Sequence, residues 1–293
     1  MRLVTKVSPV YLPEPDQTSV LRLGLRKLPS PEWLLVDADF MQFYRNKLQL
    51  RENQSDKVFQ ALPGSEPAQR ELQKLVIHHL ANDHSNKYEV KHGSISQVES
   101  GLGWTLDDES LWSTSLWIQE DVCLMELQDD EYRLTAASVC APSNWALEQK
   151  IGRSLDDIHQ PVPGYARQLS SRVNRLFASL KPDKPLLRFN WSVQDSNELF
   201  WRKDLPQPEP RTGESGESGE SGELYWRVER QTLRRLPISG AVVFTIRIFI
   251  HSFSRLASMP YFLSNSQHLI DRLSCDQKKY KGLMEFRKPA AGG

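Results

Sequence analysis

Residues Leu224–Phe253 read LYWRVERQTLRRLPISGAVVFTIRIFIHSF. Two runs rich in β-branched and aromatic residues, Leu224 to Arg235 and Ala241 to Phe253, flank the turn-forming tetrad Pro237-Ile238-Ser239-Gly240. That pattern predicts two strands separated by a tight turn. Alternation sets Tyr225, Arg227, Glu229 and Gln231 on one face of the first strand and Trp226, Val228, Arg230 and Thr232 on the other. Neither face is cleanly apolar. The charges on Arg227, Glu229, Arg230, Arg234 and Arg235 must therefore be paired, offered to a ligand, or solvated along an edge strand. Arginine suits carboxylate ligands because its planar fork can donate two parallel hydrogen bonds.

Outward from this pair, Leu116–Leu127 (LWIQEDVCLMEL) and Tyr132–Cys140 (YRLTAASVC) read as strands linked by the short polar Gln128-Asp129-Asp130-Glu131. Leu186–Val193 (LLRFNWSV) completes five. Helical spacing of apolar residues marks Glu32–Leu50, Pro67–Asn82, Gly164–Leu180 and Asn265–Tyr280. Helices, then strands, a helix and three more strands predict an α+β protein, an antiparallel sheet with helices on one face. Residues 1–30 are punctuated by Pro9, Pro13, Pro15 and Pro29 and read as an extended N-terminal arm. Residues 206–223 run from Pro-Gln-Pro-Glu-Pro into GESGESGESGE, a flexible acidic insert that cannot bury apolar surface.

The chain has 293 residues, 37 Lys+Arg and 37 Asp+Glu. A zero balance argues against a dedicated nucleic-acid binder, which carries a basic excess. No apolar run approaches the roughly 18 residues of a membrane span, and AVVFTIRIFI is interrupted by Arg247. With no N-terminal signal pattern, the expectation is a cytoplasmic protein without a membrane partner. The three widely spaced cysteines, Cys123, Cys140 and Cys275, offer neither a CxxC zinc pair nor four cluster thiolates. Nucleotide-binding glycine motifs, HExxH and GxSxG are absent from the sequence. The aromatic set Trp117, Trp145, Trp191 and Trp226 reads as core.

Among the histidines, His78 and His79 are adjacent on a helix and diverge by about 100°. His159 differs. It lies in LDDIHQPVPGY, where two prolines and a glycine stiffen the chain beside it. A lone imidazole cannot hold a bare metal ion, but it can be the single protein ligand of a haem iron, whose porphyrin supplies the in-plane nitrogens. The competing reading is a loop-stabilising histidine.

AASVCAPSNWALEQKIGRSLDDIHQPVPGY (136–165), RFNWSV (188–193) and ERQTLRRLPISGAVVFTIRIF (229–249) resemble the family of the haem-dependent oxidative N-demethylase alpha subunit. WIQEDVCLMEL (117–127) and YKGL (280–283) fit it in the same order, so the similarity runs from about Trp33 to Leu283. The resemblance implies one haem-binding domain over 31–285, with a tail at 286–293. Its fold would be a PAS-like five-stranded antiparallel sheet with packed helices and an N-terminal helical segment. It implies haem b as cofactor. The reaction would be O2-dependent oxidation of a small secondary amine such as dimethylamine, yielding formaldehyde and the demethylated amine. Electrons would come from NADPH through FMN and a 2Fe-2S cluster on a partner reductase subunit.

The resemblance further makes His159 the axial haem ligand and metal-binding residue, with His251 a weaker second candidate. Arg230, Arg234 and Arg235 become partners for the haem propionates or for bound oxygen. Glu229 becomes the anion that holds a protonated amine, and Tyr165 a hydrogen-bonding residue of the pocket. A haem-binding PAS-type sensor, or a subunit that has lost its haem, would share the same architecture.

Overall fold

The computed structural model describes residues 2–3, 11–12, 23–202, 204–205 and 223–283. Most of the GESGESGESGE insert, and the tail from 284 onward, lie outside the described residues. The centre is the hairpin read from the sequence. Seven strands form one antiparallel sheet, numbered in chain order as β1 (Arg26–Lys27), β2 (Phe59–Ala61), β3 (Asp121–Gln128), β4 (Glu131–Ser138), β5 (Leu186–Gln194), β6 (Tyr225–Arg235) and β7 (Val242–Ser252). Their spatial order is β1-β5-β6-β7-β3-β4-β2. β6 and β7 pair along their whole lengths, from Tyr225↔Ser252 to Arg235↔Val242. The β3–β4 connection turns through Asp129 and Asp130, at φ 48° and 64°, the left-handed pair a two-residue hairpin turn demands.

The sheet is therefore seven-stranded rather than five-stranded, because two short strands extend its edges. Arg26–Lys27 pair with Leu186–Leu187, and Phe59–Ala61 with Ala136–Ser138. Helices also cover both faces, not one. On the first, packed face lie α2 (Glu66–Asp83) and α6 (Phe262–Asp271), while α1 is Phe40–Asn53. Leu72, Val76 and Leu80 of α2 join Trp33, Trp117 and Val243 in one core cluster, while Phe262 and Leu269 of α6 meet Trp226, Val228 and Phe249. On the second face sit α3 (Leu155–His159), α4 (Tyr165–Gln168) and α5 (Ser170–Ser179), whose Leu155, Tyr165, Val173 and Phe177 meet Cys123, Met125, Leu233 and Val242.

Several boundaries differ from the pattern in the sequence. Leu111–Ser115 is helical and β3 begins only at Asp121, so Leu116–Glu120 belong to no strand. The helix expected over Gly164–Leu180 is broken at Leu169. That expected over Asn265–Tyr280 is divided, since Ser274 starts α7 (Cys275–Tyr280) with a reciprocal capping box to Gln277. A three-stranded sheet, Tyr88–Lys91, Ser94–Gln97 and Leu102–Thr105, follows α2 in a region where the sequence pattern indicates no strand.

The largest departure is at Glu32–Leu50. Only Phe40 onward is helical; Trp33 to Asp39 form a strap across the packed face, preceded by a 3₁₀ turn at Ser30–Glu32. A buried irregular segment must find partners for its peptide groups. Here side chains supply them. Arg230 donates to the carbonyls of Glu32 and Trp33, the latter at 3.1 Å. The Leu34 N–H donates to His79 Nε2 at 3.3 Å, and His84 Nε2–H donates to the Leu34 carbonyl at 3.1 Å. The N–H groups of Leu35 and Asp37 donate to Glu120 and Gln119, and Lys87 donates to the carbonyl of Val36.

Candidate functional site

Strand alternation divides the middle of the sheet into two unlike faces. Trp226, Val228, Arg230 and Thr232 of β6, with Val243, Thr245, Arg247 and Phe249 of β7, are buried on the packed face. On the other face the register aligns Arg188↔Gln231, Asn190↔Glu229 and Ser192↔Arg227, and continues to Ile246, Ile248 and Ile250 of β7. Here Arg188, Asn190, Ser192, Glu229, Phe244, Ile246 and Ile250 are only partly buried although they lie mid-sheet. This face is an open floor, polar over β5 and β6 and apolar over β7. Ala141, Leu199 and Phe43 of α1 pack on Ile248 and close one end.

His159 stands at the C-terminal end of α3. Ser154 starts that helix by accepting from the Asp157 N–H at 3.3 Å, and two aspartates occupy the first turn. His159 Nδ1 lies 2.8 Å from the Leu155 carbonyl. A carbonyl only accepts, so Nδ1 carries the proton and the lone pair sits on Nε2. Burial, together with the nearby charges of Arg188 and Lys150, lowers the imidazole pKa, while the Leu155 bond opposes that shift. At neutral pH the ring is an uncharged base with a fixed tautomer, the form in which a histidine binds a metal. The Tyr165 ring stacks on it, with centroids 4.6 Å apart and planes at 12°. Gly164, at φ 83°, turns the chain left-handed immediately before Tyr165 and so permits that return.

A chain of polar contacts crosses the floor. Lys281 Nζ donates to Asn190 Oδ1 at 2.6 Å and to the Trp191 carbonyl at 2.7 Å. Asn190 Nδ2 donates to Glu229 Oε2 at 3.1 Å, and Gln231 Nε2 donates to the same oxygen at 2.7 Å. Arg227 Nε is 3.7 Å from Glu229 Oε1, while its terminal nitrogens hold the carbonyls of Ala141 and Leu199. Burial pushes the Lys281 ammonium down to about 8, against the pull of Glu229. Around this floor Arg188 Nε and Ser192 Oγ are buried without a hydrogen-bond partner, as is Arg227 Nε beside Glu229.

The structure gathers His159, Tyr165 and Glu229 on this side. Arg235 faces it too, but its guanidinium is spent on the carbonyls of Leu180, Gly240 and Phe177 and on Tyr132 Oη. Arg230 and Arg234 lie on the opposite, packed face, because they alternate with Glu229 and Arg235 along β6. Arg230 is bound to the strap, and Arg234 lies over the Trp33 ring at 4.7 Å. His251 shares that opposite face, paired with Trp226. The residues that sequence reasoning missed are Arg188, Asn190, Ser192 and Lys281. A signal existed in RFNWSV, where Arg188, Asn190 and Ser192 recur every second residue. An open surface groove of about 430 Å³ lies elsewhere, between α2 and the Pro237–Ser239 turn.

Fold and site together define an α+β protein whose sheet presents a half-polar, half-apolar floor, with the stacked His159–Tyr165 pair on the same side of the sheet. Among the described residues no group of three or more His, Cys, Asp and Glu could hold a metal ion, and no helix is long and apolar enough to cross a membrane. A family model described as haem-dependent oxidative N-demethylase, alpha subunit-like, matches residues 24–291, and the chain belongs to that family. The description carries haem dependence, an oxidative demethylase-like enzyme and the alpha subunit of an assembly with further subunits.

Proposed function

We propose that the chain binds haem b over the open face through His159 Nε2, and that the loaded protein oxidatively demethylates a small secondary amine. The carrying observation is the His159 ring, whose Nδ1–H is committed to Leu155 and whose Nε2 is free. The surroundings suit a porphyrin. Phe244, Ile246 and Ile250 give its plane an apolar bed, and Arg188, with its Nε unpartnered, is a guanidinium ready for a propionate. This PAS-like mode of binding uses the sheet as floor and α3–α4 as cover.

When bound, haem supplies the oxygen and electron chemistry of the demethylation. The residues of the chain do the rest. A small secondary amine is protonated at neutral pH and needs an anionic acceptor in a cleft that excludes water. Glu229 is that acceptor. Its Oε2 is filled by two amide donors, and Oε1, with Arg227 Nε 3.7 Å away and beyond hydrogen-bond distance, takes the ammonium N–H and, as oxidation proceeds, its proton. Ile246 and Ile250 give the N-methyl groups an apolar wall, and their bulk favours a small amine. Tyr165 steadies the His159 ring by stacking. NADPH, FMN and the 2Fe-2S cluster belong to a partner reductase subunit in this reading, and the products are formaldehyde and the demethylated amine.

Purified protein should show a Soret band that His159→Ala abolishes or shifts. With dimethylamine, O2 and a reductant, the wild type should release formaldehyde. A wild type that takes up no haem, or a His159→Ala variant with an unchanged haem spectrum, would overturn the assignment.

A further inference from the structure

Helix α7 ends in a tightly specified way. The Leu283 N–H donates to the Lys278 carbonyl at 2.9 Å and the Gly282 N–H to the Lys279 carbonyl at 3.2 Å, the paired bonds of a Schellman close. Gly282 is left-handed at φ 78°, and a Cβ there would overlap the carbonyl of Val193. Only glycine fits both demands. The close lays the chain along β5 beyond the reach of β1, where the Val193 N–H donates to the Lys281 carbonyl at 2.9 Å. The Lys281 side chain is thereby laid along the edge of β5, where Nζ reaches Asn190 of the open face, and only 6% of the residue is exposed.

Once there, its direction is determined. An ammonium only donates, so the Asn190 amide must turn Oδ1 towards Lys281 and Nδ2 towards Glu229. The Trp191 ring, 5.1 Å from Nζ, holds the cation from another side. Without Lys281 the amide could flip and set its oxygen against the carboxylate.

We propose that Lys281 is a positioning residue for the amine site: acting through Asn190, it holds the Glu229 carboxylate in the orientation that receives an ammonium ligand. The inference rests on the proposed demethylase reading for the identity of that ligand, a small secondary ammonium ion, but the orienting contact itself does not. YKGL at 280–283 is thus a functional motif that contributes to the site from the far end of the chain.

The test uses the full-length protein, with Lys281→Met, which keeps the stem and removes the donors, and Lys281→Arg, which restores a cationic donor. Titration of the haem-loaded protein with dimethylammonium, followed by the haem spectrum, should show affinity weakened roughly tenfold in Lys281→Met and largely recovered in Lys281→Arg. The ligand-free Soret band should be the same in all three. In parallel, ¹⁵N spectra of the haem-free protein should show the Asn190 side-chain amide protected from exchange in the wild type and exposed in Lys281→Met. Unchanged amine affinity in a folded Lys281→Met overturns the proposal. If no amine binds the wild type, the demethylase reading fails while the Asn190 resonance still decides the contact: an unmoved resonance in Lys281→Met refutes it. If Lys281→Met does not fold, rapid exchange of the Asn190 amide in the wild type refutes it instead.

Discussion

Acidification should release the strap, and His79 sets the pH window. Its Nε2 accepts from the Leu34 N–H at 3.3 Å, and its Nδ1–H donates to Asp83 at 2.8 Å, so the folded state requires the neutral ring. Burial beneath Trp33 and the neighbouring His84 push its pKa down to about 4, while Asp83 works against the shift. In the unfolded chain the ring titrates near its ordinary value of about 6.5. Between those two pH values the unfolded chain binds more protons, so the His79 contribution is complete above pH 6.5 and fades as the pH falls towards 4. At ~1.4 kcal/mol per pH unit, the gap from about 6.5 to about 4 amounts to about 3 kcal/mol, a large part of a typical domain's stability. Urea unfolding of the wild type and His79→Gln, followed from pH 7 to 4, measures it. Glutamine can still accept from Leu34 but does not titrate. Carboxylates out of contact with residue 79 cancel in the difference. The wild type should lose about 3 kcal/mol more than the variant over this range. Parallel pH profiles would show that His79 does not titrate against folding and would refute the reasoning.

The two faces of the sheet should answer differently to loss of an arginine. Arg230→Met leaves the Glu32 and Trp33 carbonyls without their donor and should cost about 2–4 kcal/mol in urea unfolding, with haem affinity little changed. Arg188→Leu should do the reverse, keeping the urea midpoint and weakening haem retention in competition with apomyoglobin. Gly282→Ala should cost upwards of about 2 kcal/mol, from the left-handed backbone and the collision with Val193, and should expose the Asn190 amide as Lys281→Met does.

The β6–β7 hairpin was legible because a run such as AVVFTIRIFI admits few alternatives to a strand, and a β3–β4 turn built on two aspartates announces itself. The strap was not legible, because its apolar spacing imitates a helix while its backbone bonds go to side chains as distant as Arg230, 197 residues away. No local pattern encodes such pairs. The site was legible in part. Alternation alone separates Glu229 from Arg230 and Arg234, but which face stays open depends on where the strap and α3–α5 pack. Lys281 was hidden for a related reason: its chemistry depends on a helix close that lays the side chain along a sheet edge.

The two faces of β6 also differ in how their charges are satisfied, and that contrast carries the functional argument further than the histidine alone. On the packed face Arg230 ends on two strap carbonyls and Arg247 on Asp37 and the Ile248 carbonyl, so the guanidinium charges there serve the fold. Trp33 Nε1, Trp117 Nε1, Arg247 Nε and Glu120 Oε2 still lack partners on that side. On the open face Arg188 and Ser192 each leave a polar atom unpaired around one partly exposed floor, next to a carboxylate whose Oε1 has the Arg227 guanidinium 3.7 Å away. A buried donor without an acceptor costs about 1–3 kcal/mol. The unpaired atoms of Arg188 and Ser192 border the partly exposed floor. That they stay free where the sheet is least covered is what a binding site for an anionic, largely apolar group such as a haem, with a cationic amine beside it, requires.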